Sequence, residues 1–351
     1  KKFEISLRQI EKSSGVPVMA VIPHDINMLR ALAEYIPYPE YYNVIMVRFA
    51  LNRKDVFFNE DCILGSKKRL ADNSVDLVVT DPPYGIDGDT LHKHYNRDER
   101  FVVDGYIEIE KSQYPSFSER WIKEAERVLR PGGSMYIVSG YTNLPDILNA
   151  LRKTSLKEVN HIIWKYNFGV YTTKKYVSSH YHILFYEKPK GKRTFNTFVR
   201  YGMTEKDGVG GSLNYQDRED VWIIPREYKP GQEKNKNELP SELLIKMIQY
   251  SSDEGDTVCD FFLGGFSTAR IALGLNRKPV GFELNQKAFD AGMKSTQKII
   301  PGSLRAEMRK PDGRTIENYG KSWTEDEILR CRIRYMEIYK DMRNKKKAVE
   351  T

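Results

Sequence analysis

The sequence predicts an α/β fold, a mostly parallel twisted sheet covered by helices on both faces. Three observations lead there. From Asp55 onward, short apolar runs rich in β-branched and aromatic residues alternate with stretches of helical period. One such run, Val75-Asp-Leu-Val-Val-Thr80, opens directly into Asp81-Pro82-Pro83-Tyr84. Another, Thr257-Val-Cys-Asp260, passes through Gly264-Gly265-Phe266 into a helix pattern starting at Ser267. Open sheets of this kind bind their ligands at the carboxyl ends of strands, where both segments terminate.

The elements follow in order. Residues 1–54 form an N-terminal extension with helix patterns over Ser6–Lys12 and Asp25–Tyr35, and a faint helix-turn-helix character at 7–16. A catalytic domain is expected over 55–300. It begins with the strand Val56–Phe58 and the helix Cys62–Leu70, then the buried strand 75–80. Residues 87–115 read as a polar recognition insert. Ser118 is the expected cap of a helix ending at Leu129, closed by the turn Arg130-Pro131-Gly132-Gly133 before the strand Ser134–Val138. Next come the helix Pro145–Arg152, the strands His161–Trp164 and His182–Tyr186, and an aperiodic insert around 188–236. The helix Glu242–Tyr250, the strand 257–260, the helix Ser267–Leu275 and the strand Pro279–Phe282 complete the domain. A basic helical tail occupies 301–351.

Composition bounds the function. The chain has 351 residues, 56 Lys plus Arg against 48 Asp plus Glu, and a net charge of +8, which suits a polyanionic partner. Cys62, Cys259 and Cys331 are far apart and the six His are scattered, so free thiols and no metal site are expected. No apolar run is long enough to cross a membrane, and a cytoplasmic location is expected.

The chemistry lies in the two strand ends. Paired prolines fix φ and remove two N–H donors, so the Pro82 carbonyl and the Asp81 carboxylate can each accept a hydrogen from an exocyclic amine. Tyr84 can stack on the ring that carries this amine. In Asp260-Phe-Phe262-Leu-Gly264-Gly265-Phe-Ser267, glycines allow close backbone approach and the helix start offers N–H groups. Glu283 ends the following strand, suitably spaced to hold two ribose hydroxyls. The pyrophosphate fingerprint G-x-G-x-x-G is absent, so a nucleoside cofactor without pyrophosphate, such as S-adenosylmethionine, fits better than a nicotinamide.

Together these segments resemble the β-group of amino-methylating DNA methyltransferases, in which the catalytic tetrapeptide precedes the cofactor turn. The resemblance spans 55–295. It implies a Rossmann-like S-adenosylmethionine methyltransferase fold with circularly permuted order, and methyl transfer to adenine N6, or alternatively cytosine N4, of a flipped base in duplex DNA. Asp as the first residue of the tetrapeptide accompanies adenine more often in that family. Asp61-Cys62 resembles the segment facing the cofactor's adenine, and Asn237-Glu238 the segment at its methionine end. Arg127–Gly133 resembles a family turn, and Ile163–Lys165 with Ser179–Pro189 the lining of the target-base pocket. The cofactor set so implied is Asp61, Cys62, Asp81, Asn237, Glu238, Asp260, Phe262, Gly264, Gly265, Ser267 and Glu283. Candidate nucleic-acid contacts are His92, Lys93, Arg97, Lys174, Lys175, Lys190, Arg193 and Arg200. Phe261 and Phe266 depart from the family's Pro and Gly, and a Phe at 266 is expected to narrow the cofactor cleft. The resemblance leaves room for a homodimer and a cognate restriction endonuclease. A rival reading is a catalytically silent DNA-binding relative.

Overall fold

The computed structural model describes residues 56–83, 109–167, 172–202, 205–226 and 238–304. All lie in one compact unit, Lys54–Thr351. Expectations for the N-terminal extension, Tyr84, His92, Lys93, Arg97, Asn237 and the tail beyond 304 fall outside the described residues.

The strands are β1 (Phe57–Phe58), β2 (Val75–Thr80), β3 (Leu129–Ser139), β4 (Lys157–Lys165), β5 (His180–Glu187), β6 (Val221–Ile223), β7 (Thr257–Asp260) and β8 (Lys278–Phe282). They form one sheet in the order β1-β8-β7-β2-β3-β5-β4-β6. Every ladder is parallel except the two that β5 makes with β3 and β4. β2 is central, and its apolar residues divide between two cores, Val75 and Val78 on one side and Leu77 and Val79 on the other. Burial on both faces explains why its sequence is almost continuously apolar.

One face is covered by α1 (Cys62–Arg69), α2 (Tyr114–Val128) and α3 (Leu144–Leu151), which bury Ile63, Trp121 and Ile147 against it. The other carries α5 (Ser241–Ser251) and α6 (Ser267–Gly274), whose Leu244, Ile248 and Ile271 pack on Leu77, Tyr136 and Trp164. The short α4 (Leu213–Asp217) precedes β6, and α7 (Gln286–Gln297) follows β8. Asp61 starts α1 by accepting from Ile63 N at 3.0 Å and Leu64 N at 2.9 Å. Lys188 closes the far end of α2 by donating to Glu126 O at 2.7 Å and Leu129 O at 2.8 Å.

Three expectations are corrected, and one element is new. The helix read from Ser118 begins at Tyr114, with Pro115 in its first turn, where a missing N–H costs nothing; Ser118 is buried inside it. The turn Arg130–Gly133 is the opening of β3, because Gly132 N donates to Lys188 O at 2.7 Å and Lys188 N returns to Gly133 O at 3.0 Å. The aperiodic insert contributes α4 and edge strand β6, where Trp222 stands opposite Trp164. Helix α7 was not anticipated; Asn285 caps it by accepting from Ala288 N at 2.9 Å.

Candidate active site

β2 and β7 are neighbours, with Leu77 opposite Val258 and Val78 opposite Cys259, so Asp81 and Asp260 emerge side by side. The Thr80 hydroxyl donates to Asp260 Oδ1 at 2.8 Å, a link across 180 residues of chain. Beyond it opens a cavity of about 190 Å³. Asp81 and Pro83 line one side of it, and Asp260, Phe262, Gly264, Gly265 and Ser267 the other. Asp61, Cys62, Glu238 and Glu283 complete the wall. Every described residue of the expected cofactor set thus lines one space together with Asp81 and Pro83 of the tetrapeptide, whereas the buried Pro82 is not part of its lining. Sequence reading missed Phe117, Phe261, Thr268, Phe282 and Asn285, which also line it. Their only signal was adjacency to residues already singled out.

The turn after β7 is held by hydrogen bonds from both directions. Gly264, at φ 49°, donates its N–H to Glu283 Oε2 at 2.8 Å, and Asn285 N donates to Glu283 Oε1 at 2.7 Å. This fixes the Glu283 carboxylate at the cavity rim. At Gly265 a Cβ would collide with Glu238, whose carboxylate is paired with Arg270 at 2.7 Å. The expectation for Phe266 is overturned. It adopts φ 62° and ψ 24°, the left-handed conformation a glycine would take without cost, and its ring turns away from the cavity. There it is fully buried against Phe57 (ring centroids 5.2 Å apart) and Phe289 (5.7 Å). A Cβ at Gly292 would overlap this ring, so Gly292 makes the room that position 266 uses.

Burial governs the electrostatics. Asp81 Oδ1 is shielded from solvent and has no hydrogen-bond partner. Burial, reinforced by the charge of Asp260, pushes the Asp81 carboxyl up to about 8, against the downward pull of the Arg226 guanidinium. Burial also raises Asp260 and Glu283, and it lifts the Cys62 thiol well above its ordinary value, making that side chain a neutral wall. An acid-rich cavity with an orphaned carboxylate oxygen and a glycine-lined turn fits a nucleoside that carries positive charge.

Residues 75–294 match the DNA methylase family N6_N4_Mtase. The chain belongs to this family. Among its relatives, M.BamHI of Bacillus amyloliquefaciens, a type II methyltransferase, is 29% identical over 74% of this chain and 65% of its own length. The type II methyltransferase M.HinfI of Haemophilus influenzae is 30% identical over 69% of this chain and 68% of its own. The chain thus spans about two thirds of the relatives it matches. The fold is that of TTHA0409 from Thermus thermophilus, solved with S-adenosyl-L-methionine (TM-score 0.52, 22% identity, 70% of this chain and 95% of that one). It is also that of the PvuII cytosine-N4-specific DNA methyltransferase (TM-score 0.51, 13% identity, 70% of this chain and 90% of that one). The Rossmann-like methyltransferase architecture expected from the sequence is the one observed.

In this N6/N4 family member, the cations expected at nucleic acid separate into two groups. Lys174, Lys175 and Lys190 are exposed. Arg200 is engaged inside the fold, paired with a largely buried Asp217 at 2.9 Å. Arg193 pairs with Glu187 at 2.8 Å and lies over the rings of Phe185 and Phe195, each 5.3 Å away. Trp164 is core, its indole donating to Ile224 O at 2.8 Å. His182 shares a 2.8 Å hydrogen bond with His161. Among the described residues, no helix is long and apolar enough to cross a membrane.

Proposed function

We propose that the chain is an S-adenosylmethionine-dependent DNA methyltransferase acting on adenine N6 of a base rotated out of duplex DNA. The observation that carries this is the seating of Asp81, with its unpartnered oxygen, beside the Gly264–Glu283 turn over one cavity. Family membership, and a fold shared with a protein solved with S-adenosyl-L-methionine, support the cofactor. Asp as the first residue of the tetrapeptide supports adenine.

Glu283 would hold the ribose hydroxyls of the cofactor, Asp61 and Cys62 would meet its adenine, and backbone around Gly264, Gly265 and Ser267 its polar groups; Glu238 would face its methionine end, with Asn237 beside it in sequence. When bound, S-adenosylmethionine would supply a methyl group on cationic sulfur: the amine forms an N–C bond as the S–C bond breaks, neutral S-adenosylhomocysteine is the leaving group, and the methylated nitrogen then sheds one proton to solvent. The chain's part is to hold and polarise that amine. Asp81 and the Pro82 carbonyl each accept one of its hydrogens, which draws the nitrogen lone pair out of conjugation and stabilises the charge forming there. Tyr84 stacks on the ring. No covalent enzyme intermediate is needed.

The test is to methylate mixed-sequence duplex DNA with the purified protein, digest it to nucleosides and weigh them by mass spectrometry. N6-methyladenine is the expected product. N4-methylcytosine overturns the base assignment, and unmodified nucleosides overturn the activity.

A further inference from the structure

The cavity has a direction, set by the order of the strand ends that open into it. Glu60 and Asp61 follow β1, Glu283 follows β8, Phe261 to Gly265 follow β7, and Asp81 follows β2. Three strand spacings separate the first from the last, about 14 Å, which suits an elongated ligand lying across the sheet edge. A ligand with adenine at Asp61 and Cys62 and ribose at Glu283 extends its far end over Gly264 and Gly265. The acid that meets it there comes from no strand. Glu238 belongs to the segment ahead of α5, anchored by Leu239 on the core and by the buried Pro240, whose carbonyl accepts from Leu244 N at 3.2 Å.

Glu238 is held from behind. Arg270, one turn into α6, donates from Nη2 to Glu238 Oε2 at 2.7 Å. Its Nη1 donates to the Gly265 carbonyl and to Ser295 Oγ of α7, the latter at 3.3 Å. One guanidinium thus joins the β7–α6 turn, the segment before α5 and helix α7. Glu238 lines the cavity and Arg270 does not. The other carboxylate oxygen, Oε1, rests against Gly265, so close that a Cβ on that residue would collide with it. No donor among the described residues bonds to this oxygen. Both side chains are 24% exposed, so solvent screens the ion pair, and what the pairing contributes is placement. It keeps Glu238 from swinging out to water.

A carboxylate offers about four acceptor sites, and Arg270 occupies one of them. The amino-acid end of S-adenosylmethionine carries one ammonium and one carboxylate. A fixed acid attracts the first and repels the second, and so decides which way round that end lies. We propose that Glu238 receives the α-ammonium of the cofactor, and that Arg270 is the positioning residue that holds Glu238 over Gly265 to do so. The identity of the ligand rests on the methyltransferase reading; the pairing of Glu238 with Arg270 rests on geometry alone.

Calorimetry on the full chain with two ligands isolates the contact. One is S-adenosylhomocysteine, and the other its des-amino analogue, which differs only in lacking the α-amine. Wild type should bind the first about tenfold tighter or more, the worth of one charge-assisted hydrogen bond. Glu238→Gln should weaken S-adenosylhomocysteine by on the order of tenfold and leave the analogue no weaker, which erases the preference. Arg270→Ala should erode the same preference although Glu238 is intact, and Arg270→Lys should restore most of it. Arg270→Met, which keeps the length of the stem, serves if the alanine variant does not fold. Equal weakening of both ligands in Glu238→Gln, or an undiminished preference, overturns the ammonium contact. A preference unchanged in the neutral Arg270 variants overturns the positioning role. Wild type binding both ligands alike sinks this inference and spares the cofactor, whereas binding neither removes the cofactor reading as well.

Discussion

Asp81 is a carboxyl whose folded environment disfavours its charge, and stability must register this. Its pKa is raised to about 8 in the fold, against about 3.9 for an unfolded aspartate. The folded state therefore keeps a proton that the unfolded chain has released, and Asp81 costs stability progressively as pH climbs between those two values. Asp81→Asn should accordingly raise Tm relative to wild type, with no gain below about pH 4 and a plateau of several kcal/mol above about pH 8. Thermal melts across that range decide it, and a pH-independent difference would remove burial as the cause. Catalysis responds in the opposite sense. Asp81→Ala should abolish methyl transfer while leaving S-adenosylmethionine affinity within a few fold by calorimetry, since Asp81 is one wall residue among many. Equal loss of both would assign Asp81 to cofactor binding alone.

Among the elements, the β7–α6 turn shows where sequence reading succeeded and where it stopped. The strand, the glycines, Ser267 and the acid of the next strand were legible because apolar runs, glycine at a bend and a carboxylate at a strand end each have a local physical cause. The direction of the Phe266 ring was not legible. It depends on Gly292, from a helix that the sequence pattern did not reveal, since only Gly292 and Thr296 of α7 are buried. Helix α2 was misjudged for a related reason, as Pro115 reads like a breaker and is in fact its first-turn residue. The Phe266–Gly292 pair can be tested as a unit. Phe266→Gly should destabilise by about 2–4 kcal/mol, the lost ring outweighing relief of the left-handed strain. Gly292→Ala should cost about 1–3 kcal/mol through collision with that ring. Combined, the two should fall short of their sum by more than about 1 kcal/mol in denaturant melts. Strict additivity would mean that the ring and the glycine do not constrain one another.

Across the whole molecule, the excess of basic residues divides into charges committed to the fold and charges left for a polyanion. Arg200 illustrates the first, joined to Asp217, which also binds the Tyr250 hydroxyl at 2.6 Å and faces Lys246 at 3.5 Å. Lys174 and Lys175 illustrate the second, standing exposed in the connection between β4 and β5. Neutralising a lysine that touches phosphate should flatten the plot of log affinity for duplex DNA against log salt by about 0.9. Lys174→Ala and Lys175→Ala should do so in a fluorescence titration, whereas Arg200→Gln should lower Tm and leave the slope alone. The reverse pattern would place the DNA elsewhere. Nothing in composition separates these two kinds of cation, because the difference lies in which acid the fold brings alongside.

The chain order of the site has a consequence for synthesis. The opposite wall of the Asp81 cavity, from Asp260 to Glu283, leaves the ribosome roughly 180 residues after Asp81 does. A nascent polypeptide stalled between those points has the acid without the pocket, and cannot retain a methyl donor. The two walls can face each other only once that later segment has been made and β7 has paired with β2.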